Sequence, residues 1–404
     1  MTLLQIGTSK TRRYHPQLDS HLEEIKTKSG QQLSPLFAHL YVENGCHLKC
    51  AHCYESEESH PPKHALSLDD YRDIYAQLAN MGVLVLTFSG GEPFLRRDFL
   101  ELVHEARKQR FAVRVYTSGT LINERKADRL KELQVSEVHV SLYHADAGPH
   151  DEFTGIPGSH AKSVRALKLL QERGIKTVLK TNVMTFNLHS LDRIIALAKT
   201  YGADYVFDPT IKPKMDGDRS PLRFAVPPEE LKEFLLKRPD LEKAMSFEDA
   251  DGYCNGENHR MKGDHLCAAA RNLITVWADG SIAPCAFFPT AGGNVKTESI
   301  QDIWRDSPLF QEVRYKQFAS MTKCGTCDVQ STCHPCMAYG LVEENDLGGC
   351  NTGSKQYATA RAQLAHEMQA AHIKNTRGMA LPLVGDPSFP MPDGPETSRL
   401  SAEP

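Results

Sequence analysis

Eleven cysteines are spread unevenly over a chain of 404 residues. Cys46, Cys50 and Cys53 lie within eight residues as C-x3-C-x2-C, positions 54–253 hold none, and the other eight fall between 254 and 350. A single cysteine is most often a small buried hydrophobe, but that does not produce regular spacings. Clustered thiols in a large chain whose start lacks signal-peptide order point to metal rather than to disulfides. Three thiolates on one tight loop can hold three irons of a cubane and leave the fourth iron open to a reactant. Zinc is the rival, because His47 or His52 could supply the fourth ligand that a structural zinc wants.

A second grouping is Ser89-Gly90-Gly91-Glu92-Pro93. Its glycines let backbone approach a ligand closely, and its carboxylate can pair with an ammonium group. A third pattern runs Cys267, twelve residues, Gly280, four residues, Cys285, then Cys324-x2-Cys327-x5-Cys333-x2-Cys336 and Cys350. The two C-x2-C pairs would suit one zinc, which leaves Cys267, Cys285 and Cys350 without a role. Asp146, His150 and Asp151 are further acid–base candidates. Asp216 and Asp218 sit in a stretch whose Asp and Gly favour a turn. Lys180 lies inside an apolar strand pattern, where a buried ammonium needs an anionic partner.

These residues need elements to position them. Strands are expected over 36–42, 83–88, 113–117, 138–142, 177–183 and 205–207. Between them, Tyr71, Ile74, Tyr75 and Leu78 follow the i, i+3, i+4, i+7 rule, as do Phe99, Leu102, Val103 and Ala106, and Leu191, Ile194, Ile195 and Ala198. Ser67 with Asp70 makes a capping box, and Asn123 can cap a later helix. Gly82, Gly174 and Gly202 each follow a helix and precede an apolar strand, where a left-handed residue is wanted. The alternation implies an α/β fold with a parallel sheet and right-handed crossovers. Periodicity alone leaves a doubly wound sheet and an incomplete barrel both open. The three-cysteine loop follows the first strand and Gly-Gly-Glu-Pro the second, as ligand sites at the carboxyl ends of parallel strands should.

That combination resembles the radical S-adenosylmethionine (SAM) superfamily over roughly 36–210. The resemblance implies a partial (β/α)6 barrel. It implies that Cys46, Cys50 and Cys53 hold a 4Fe–4S cluster whose open iron chelates the amino and carboxylate groups of SAM. Gly90, Gly91 and Glu92 would face the SAM amino group and Ser141 the ribose. His52, at a position commonly aromatic, would lie near adenine. The C-terminal pattern is similar to the SPASM extension, with one departure: two residues, not three, separate Cys333 from Cys336. The family partition implies one auxiliary cluster on Cys324, Cys327, Cys333 and Cys350 and a second on Cys267, Cys285 and Cys336. Three clusters with one iron left open to SAM need eleven thiolates, the number present, if Cys254 completes the second. The chain then divides into an N-terminal extension (1–35), the barrel (36–212), a bridge (213–253), a loop-rich, cysteine-rich SPASM domain (254–354), and a C-terminal helix over 356–373 with a mobile tail (355–404 together).

The formal charge of −4, from 47 basic and 51 acidic residues, gives no basic face for nucleic acid. The apolar runs are far shorter than the ~20 residues of a membrane span. A cytoplasmic enzyme is therefore expected, with neither nucleic acid nor membrane as partner. The resemblance implies its mechanism. An electron from a flavodoxin or ferredoxin enters the cluster, SAM is cleaved to methionine and a 5′-deoxyadenosyl radical, and that radical removes hydrogen from a substrate C–H. The layout looks like that of peptide-maturing members, so a ribosomally made peptide or a protein side chain is the expected substrate. The mixed-charge, Pro-rich stretch 208–222 suits an extended peptide better than a polyanionic tetrapyrrole. An extension of 35 residues is short for a peptide-binding domain, which leaves room for a separate peptide-binding partner. The alternatives are a haem-pathway enzyme, a sulfatase-maturing enzyme and a non-enzymatic metal scaffold or electron carrier. Ala286 stands after Cys285, where sulfatase-maturing members carry Asp. A scaffold would not need Gly90, Gly91 and Glu92.

Overall fold

The structure is a computed structural model that describes residues 33–55, 65–241, 245, 266–321 and 323–378. Cys254, nearly all of 242–265, the extension before 33 and the tail after 378 lie outside the described residues.

Six parallel strands stand in sequence order: β1 (Phe37–Glu43), β2 (Val85–Gly90), β3 (Ala112–Thr117), β4 (Glu137–Ser141), β5 (Thr177–Asn182) and β6 (Asp204–Asp208). Between them come α1 (Leu68–Asn80), α2 (Phe99–Lys108), α3 (Glu124–Glu132), α4 (Ala147–Thr154), α5 (Ser159–Glu172) and α6 (Leu191–Thr200). A doubly wound sheet reverses its strand order at a switch point. This sheet never does, so same-handed crossovers put every helix on one face and the sheet is an open barrel.

The strands alternate accordingly. Leu40, Leu86, Phe88, Val113, Val115, Val138, Val140 and Leu179 have no exposed surface. They form the helix-facing side, where Phe88 meets Tyr75 of α1 and Phe99 of α2 edge-on. The other face is polar. His39, Thr87, Arg114 and Glu137 share one register row. Glu137 takes Arg114, Lys176 and His139 together. Lys180 lies on this face with its Nζ 4.3 Å over the ring of Tyr116, so a π surface helps to house its charge. The local signals act as their chemistry requires. Ser67 and Asp70 cap α1 reciprocally, Asn123 caps α3, and Gly82, Gly174 and Gly202 all have positive φ.

The C-terminal region is more regular than the expected loops. β7 (Leu273–Val276) pairs in parallel with β1, and β8 (Ser281–Ala283) and β9 (Gly293–Asn294) follow antiparallel, giving a nine-stranded sheet. Without β7, strand β1 would present an open backbone edge. Helices α8 (Ile300–Asp306), α9 (Pro308–Tyr315) and α10 (Met337–Glu344) come after it. α7 (Pro228–Lys237) packs against the long closing helix α11 (Thr352–Gly378), which begins before 356 and runs past 373. Among the described residues no helix is long and apolar enough to cross a membrane.

Candidate functional site

The loop from Cys46 to Cys53 leaves the carboxyl end of β1 and is tied down on several sides. Lys49 N donates to Thr154 O (2.8 Å) and Ala51 N to Phe153 O (3.1 Å), both on α4. His47 Nε2 lies 2.6 Å from Thr120 Oγ1 beyond β3, and His52 Nε2 lies 3.2 Å from Asn182 Oδ1 at the end of β5. The three thiols face one another closely enough that charge on Cys53 and Cys46 disfavours charge on Cys50. Burial, then this repulsion, pushes Cys50 up strongly, and burial holds Cys53 up at about 11.

Gly90 and Gly91 are required by the protein's own backbone. Gly91 N donates to Glu43 O (2.8 Å) and Glu92 N to Gly45 O (2.9 Å), which clamps β2 to the entrance of the cysteine loop. A Cβ on Gly91 would stand 2.3 Å from Gly45 O, and one on Gly90, whose φ is +137°, 2.1 Å from Glu43 O. Glu92 also behaves differently from expectation. Its carboxylate has no exposed surface. Oε1 accepts from Thr117 Oγ1 (2.7 Å) and Phe94 N (3.2 Å), and Oε2 from Ser118 N (2.9 Å) and Ser118 Oγ (2.6 Å). A carboxylate offers about four acceptor positions, and all are taken. Glu92 therefore braces β2 against the end of β3, and its side chain is not offered to an ammonium group.

Ser141, at the end of β4, hydrogen-bonds the Tyr143 hydroxyl, which also reaches Cys50. His52 packs edge-on to Tyr143 (4.7 Å) and against Phe153 (5.0 Å). Burial lowers its pKa to about 4, so the ring is neutral. With Asn182 Oδ1 accepting from Nε2, Nδ1 is left as a buried acceptor without a hydrogen-bond partner.

Cys324, Cys327, Cys333 and Cys350 line one cavity of about 110 Å³, together with Lys323 and Lys355. Burial first and then the other three thiols push Cys333 up to about 12. Cys285 and Cys336 both lie near the buried Tyr339, whose ring packs on Phe287, two residues after Cys285. The Cys267 loop runs beside Cys285 through Ala270 N to Pro284 O, 3.3 Å. Among the described residues no three His, Cys, Asp or Glu side chains converge on a single metal ion. A cubane asks something else of its ligands, one thiolate for each separate iron.

The other candidates hold structure. Asp146 pairs with Arg193, and Asp151 caps the turn into α5 through Gly158 N and His160 N. His150 is bonded to Ser159 Oγ, and Asp216 and Asp218 form an exposed turn in which Asp218 pairs with Lys214. A group absent from the sequence reading lies between the cysteine sets. Tyr41 and Tyr54 share a 2.5 Å hydrogen bond, and burial raises the adjoining Glu55 to about 7. Tyr41 is two positions after His39 on the same strand face, which is the one signal the sequence carried.

Residues 40–200 match the model of the radical SAM superfamily, and residues 267–328 that of an iron–sulfur cluster-binding domain, SPASM. The mycofactocin maturase MftC of Mycolicibacterium smegmatis is 31% identical over 348 residues, 82% of this chain and 86% of that protein. The AdoMet-dependent heme synthase of Methanosarcina barkeri is 25% identical over 321 residues, 75% of this chain and 91% of that one. The crystal structure of Streptococcus suis SuiB bound to precursor peptide SuiA superposes with a TM-score of 0.64 at 18% identity, covering 88% and 85% of the two chains. The chain belongs to the radical SAM superfamily and carries a SPASM domain. Its cofactors are those of that class: a 4Fe–4S cluster with SAM, and auxiliary iron–sulfur clusters.

The residues fit these groups. Buried thiols that repel one another as thiolates are stabilised by a cationic iron core. Four cysteines around one cavity suit a closed cubane, and three at a barrel rim leave one iron free. The His52 Nδ1 acceptor on the three-cysteine loop is buried and has no hydrogen-bond partner within the protein.

Proposed function

We propose that this is a cytoplasmic enzyme that modifies a ribosomally made peptide, with Cys46, Cys50 and Cys53 holding the cluster that binds SAM. The observation that carries this is the gathering of those three thiols, Ser141 and His52 at the carboxyl ends of β1, β4 and β5. When bound, the cluster and SAM supply a radical able to remove hydrogen from an unactivated carbon. The chain's own part is to bind, orient and exclude water. The backbone of Gly90 and Gly91, held by Glu92, meets the SAM amino group. Ser141 offers its hydroxyl to the ribose, and His52 Nδ1 offers an acceptor to the adenine amine. Cys324, Cys327, Cys333 and Cys350 take one auxiliary cluster. Cys267, Cys285 and Cys336, completed by Cys254, take the other. A flavodoxin or ferredoxin supplies electrons, and a separate protein presents the peptide.

A peptide is favoured over a tetrapyrrole by the charges at the barrel rim. Lys212 is paired with Asp208, Lys214 with Asp218 and Arg219 with Glu343. A polyanionic macrocycle needs cations that are not already neutralised, whereas a peptide backbone needs mixed donors and acceptors. The likeness to heme synthases supplies the second reading. Mass spectrometry of candidate peptides after turnover decides between them. Deuterium passing from a labelled peptide residue into 5′-deoxyadenosine supports the proposal. Transfer from a porphyrin precursor, with none from any peptide, refutes it.

A further inference from the structure

One ion pair stands between the SAM side of the barrel and the SPASM cysteines. Asp208, the last residue of β6, receives Lys212 Nζ at 2.6 Å and also accepts from the Thr210 amide (2.9 Å) and hydroxyl (2.6 Å). Both charges are largely shielded, with the Asp208 side chain 23% exposed and that of Lys212 14%. The Lys212 ammonium lies 5.2 Å from the ring centre of Phe287. Phe287 N is 3.5 Å from Cys285 Sγ, and the Phe287 ring packs 5.6 Å from Tyr339, three residues beyond Cys336 at the start of α10. The ammonium end of the pair thus packs over Phe287, between Cys285 and the Tyr339 that follows Cys336.

We propose that Asp208 and Lys212 set the electron affinity of the iron–sulfur group held by Cys285 and Cys336, Lys212 easing its reduction and Asp208 restraining Lys212. This rests on the ligand assignment proposed above. Reduction adds one electron, supplied by the external donor, and breaks no bond. The added negative charge is stabilised by a nearby cation, and more strongly in a shielded site than in water. Lys212 touches no reacting atom on this account, so it is a positioning residue for charge. Neutralising it should disfavour the reduced form. Neutralising Asp208 should do the opposite, because Lys212 then acts unopposed.

The test uses the full chain, anaerobically reconstituted with iron and sulfide, in a redox titration followed by electron paramagnetic resonance. Cys285→Ala and Cys324→Ala first assign the two auxiliary signals. For Lys212→Gln the reduced-to-oxidised ratio of the Cys285 signal at fixed potential should fall about tenfold, a shift of about 59 mV for a one-electron couple. Lys212→Arg should hold the wild-type value, and Asp208→Asn should move it the other way. The Cys324 signal should stay in place in all three. Equal shifts of both couples, shifts of the same sign in Lys212→Gln and Asp208→Asn, or no shift at full iron content would overturn the proposal while leaving the ligand assignment standing. If Cys285→Ala and Cys336→Ala lose no iron, the assignment itself fails and the proposal falls with it.

Discussion

Replacing Glu92 by Gln separates a brace from a ligand. Gln keeps the size of the side chain but must put an NH2 where one oxygen was. On the Oε2 side it meets Ser118 N, and on the Oε1 side Phe94 N. Both are backbone donors that cannot turn away, whereas the Thr117 and Ser118 hydroxyls can rotate. In either orientation one buried N–H loses its acceptor, at about 1–3 kcal/mol, and charge-assisted bonds become neutral ones, at about 1 kcal/mol more. The substitution should therefore cost about 2–4 kcal/mol and, in a chain of 404 residues, lower the thermal midpoint by roughly 2–5 °C. Thr117→Val, which removes one hydroxyl donor, should cost about 1 kcal/mol. Both are measured by calorimetry on the reconstituted chain without SAM. If Glu92→Gln leaves that midpoint unchanged and abolishes only the extra stabilisation that SAM brings, the carboxylate pairs with the ligand directly and the bracing argument is wrong.

Gly91→Ala should force the Gly45 carbonyl away from a Cβ otherwise 2.3 Å distant, at about 1–3 kcal/mol, and lower the iron held by the neighbouring loop, as iron assay and calorimetry would register. Joint replacement of Cys46, Cys50 and Cys53 by Ala should remove about a third of the iron and all SAM cleavage with the auxiliary spectra intact, whereas Cys254→Ala should disturb an auxiliary spectrum and spare the rest. Burial opposes charge on Glu137, but His139, Arg114 and Lys176 outweigh it and hold its carboxyl far below the usual range. Its stabilisation is thus complete above the unfolded value of about 4.3 and is lost as pH falls below it. Thermal midpoints between pH 6 and 3 should accordingly drop less steeply for Glu137→Gln, which starts about 3 kcal/mol lower; parallel curves would count against this account.

The barrel was legible because each βα unit repeats its own signals. An apolar run, a helical stripe such as Tyr71 to Leu78 and a glycine exit such as Gly82 agree on one element each. β7 was not legible. Leu273, Ile274, Thr275 and Val276 are four buried residues among turn formers, and their strand identity comes from pairing with β1. Of the two auxiliary sets that the resemblance implies, the cavity gathers Cys324, Cys327, Cys333 and Cys350. The motif around Gly91 was visible, but its partner was not. The oxygen that excludes a side chain belongs to Gly45, and the donors that saturate Glu92 belong to Thr117 and Ser118 as well as to the nearby Phe94. Such close approaches are set by strand neighbours, which a linear pattern does not name.

The pairing of Phe37 with Leu273 also bears on how the protein is made. At about 5–20 residues per second, a ribosome takes roughly 10–50 s to travel from one to the other. Once β2 has been made, and until β7 follows, the strand leading into Cys46 has β2 on one side and bare amides and carbonyls on the other. A nascent barrel in this state can recruit a stray strand from a neighbouring polypeptide, which makes crowding on polysomes a hazard and gives chaperones a surface to hold. Removing the cysteine-rich region is then more than the loss of electron-handling groups, because it makes that transient edge permanent. A fragment ending at 212 should accumulate as insoluble material even where iron is plentiful.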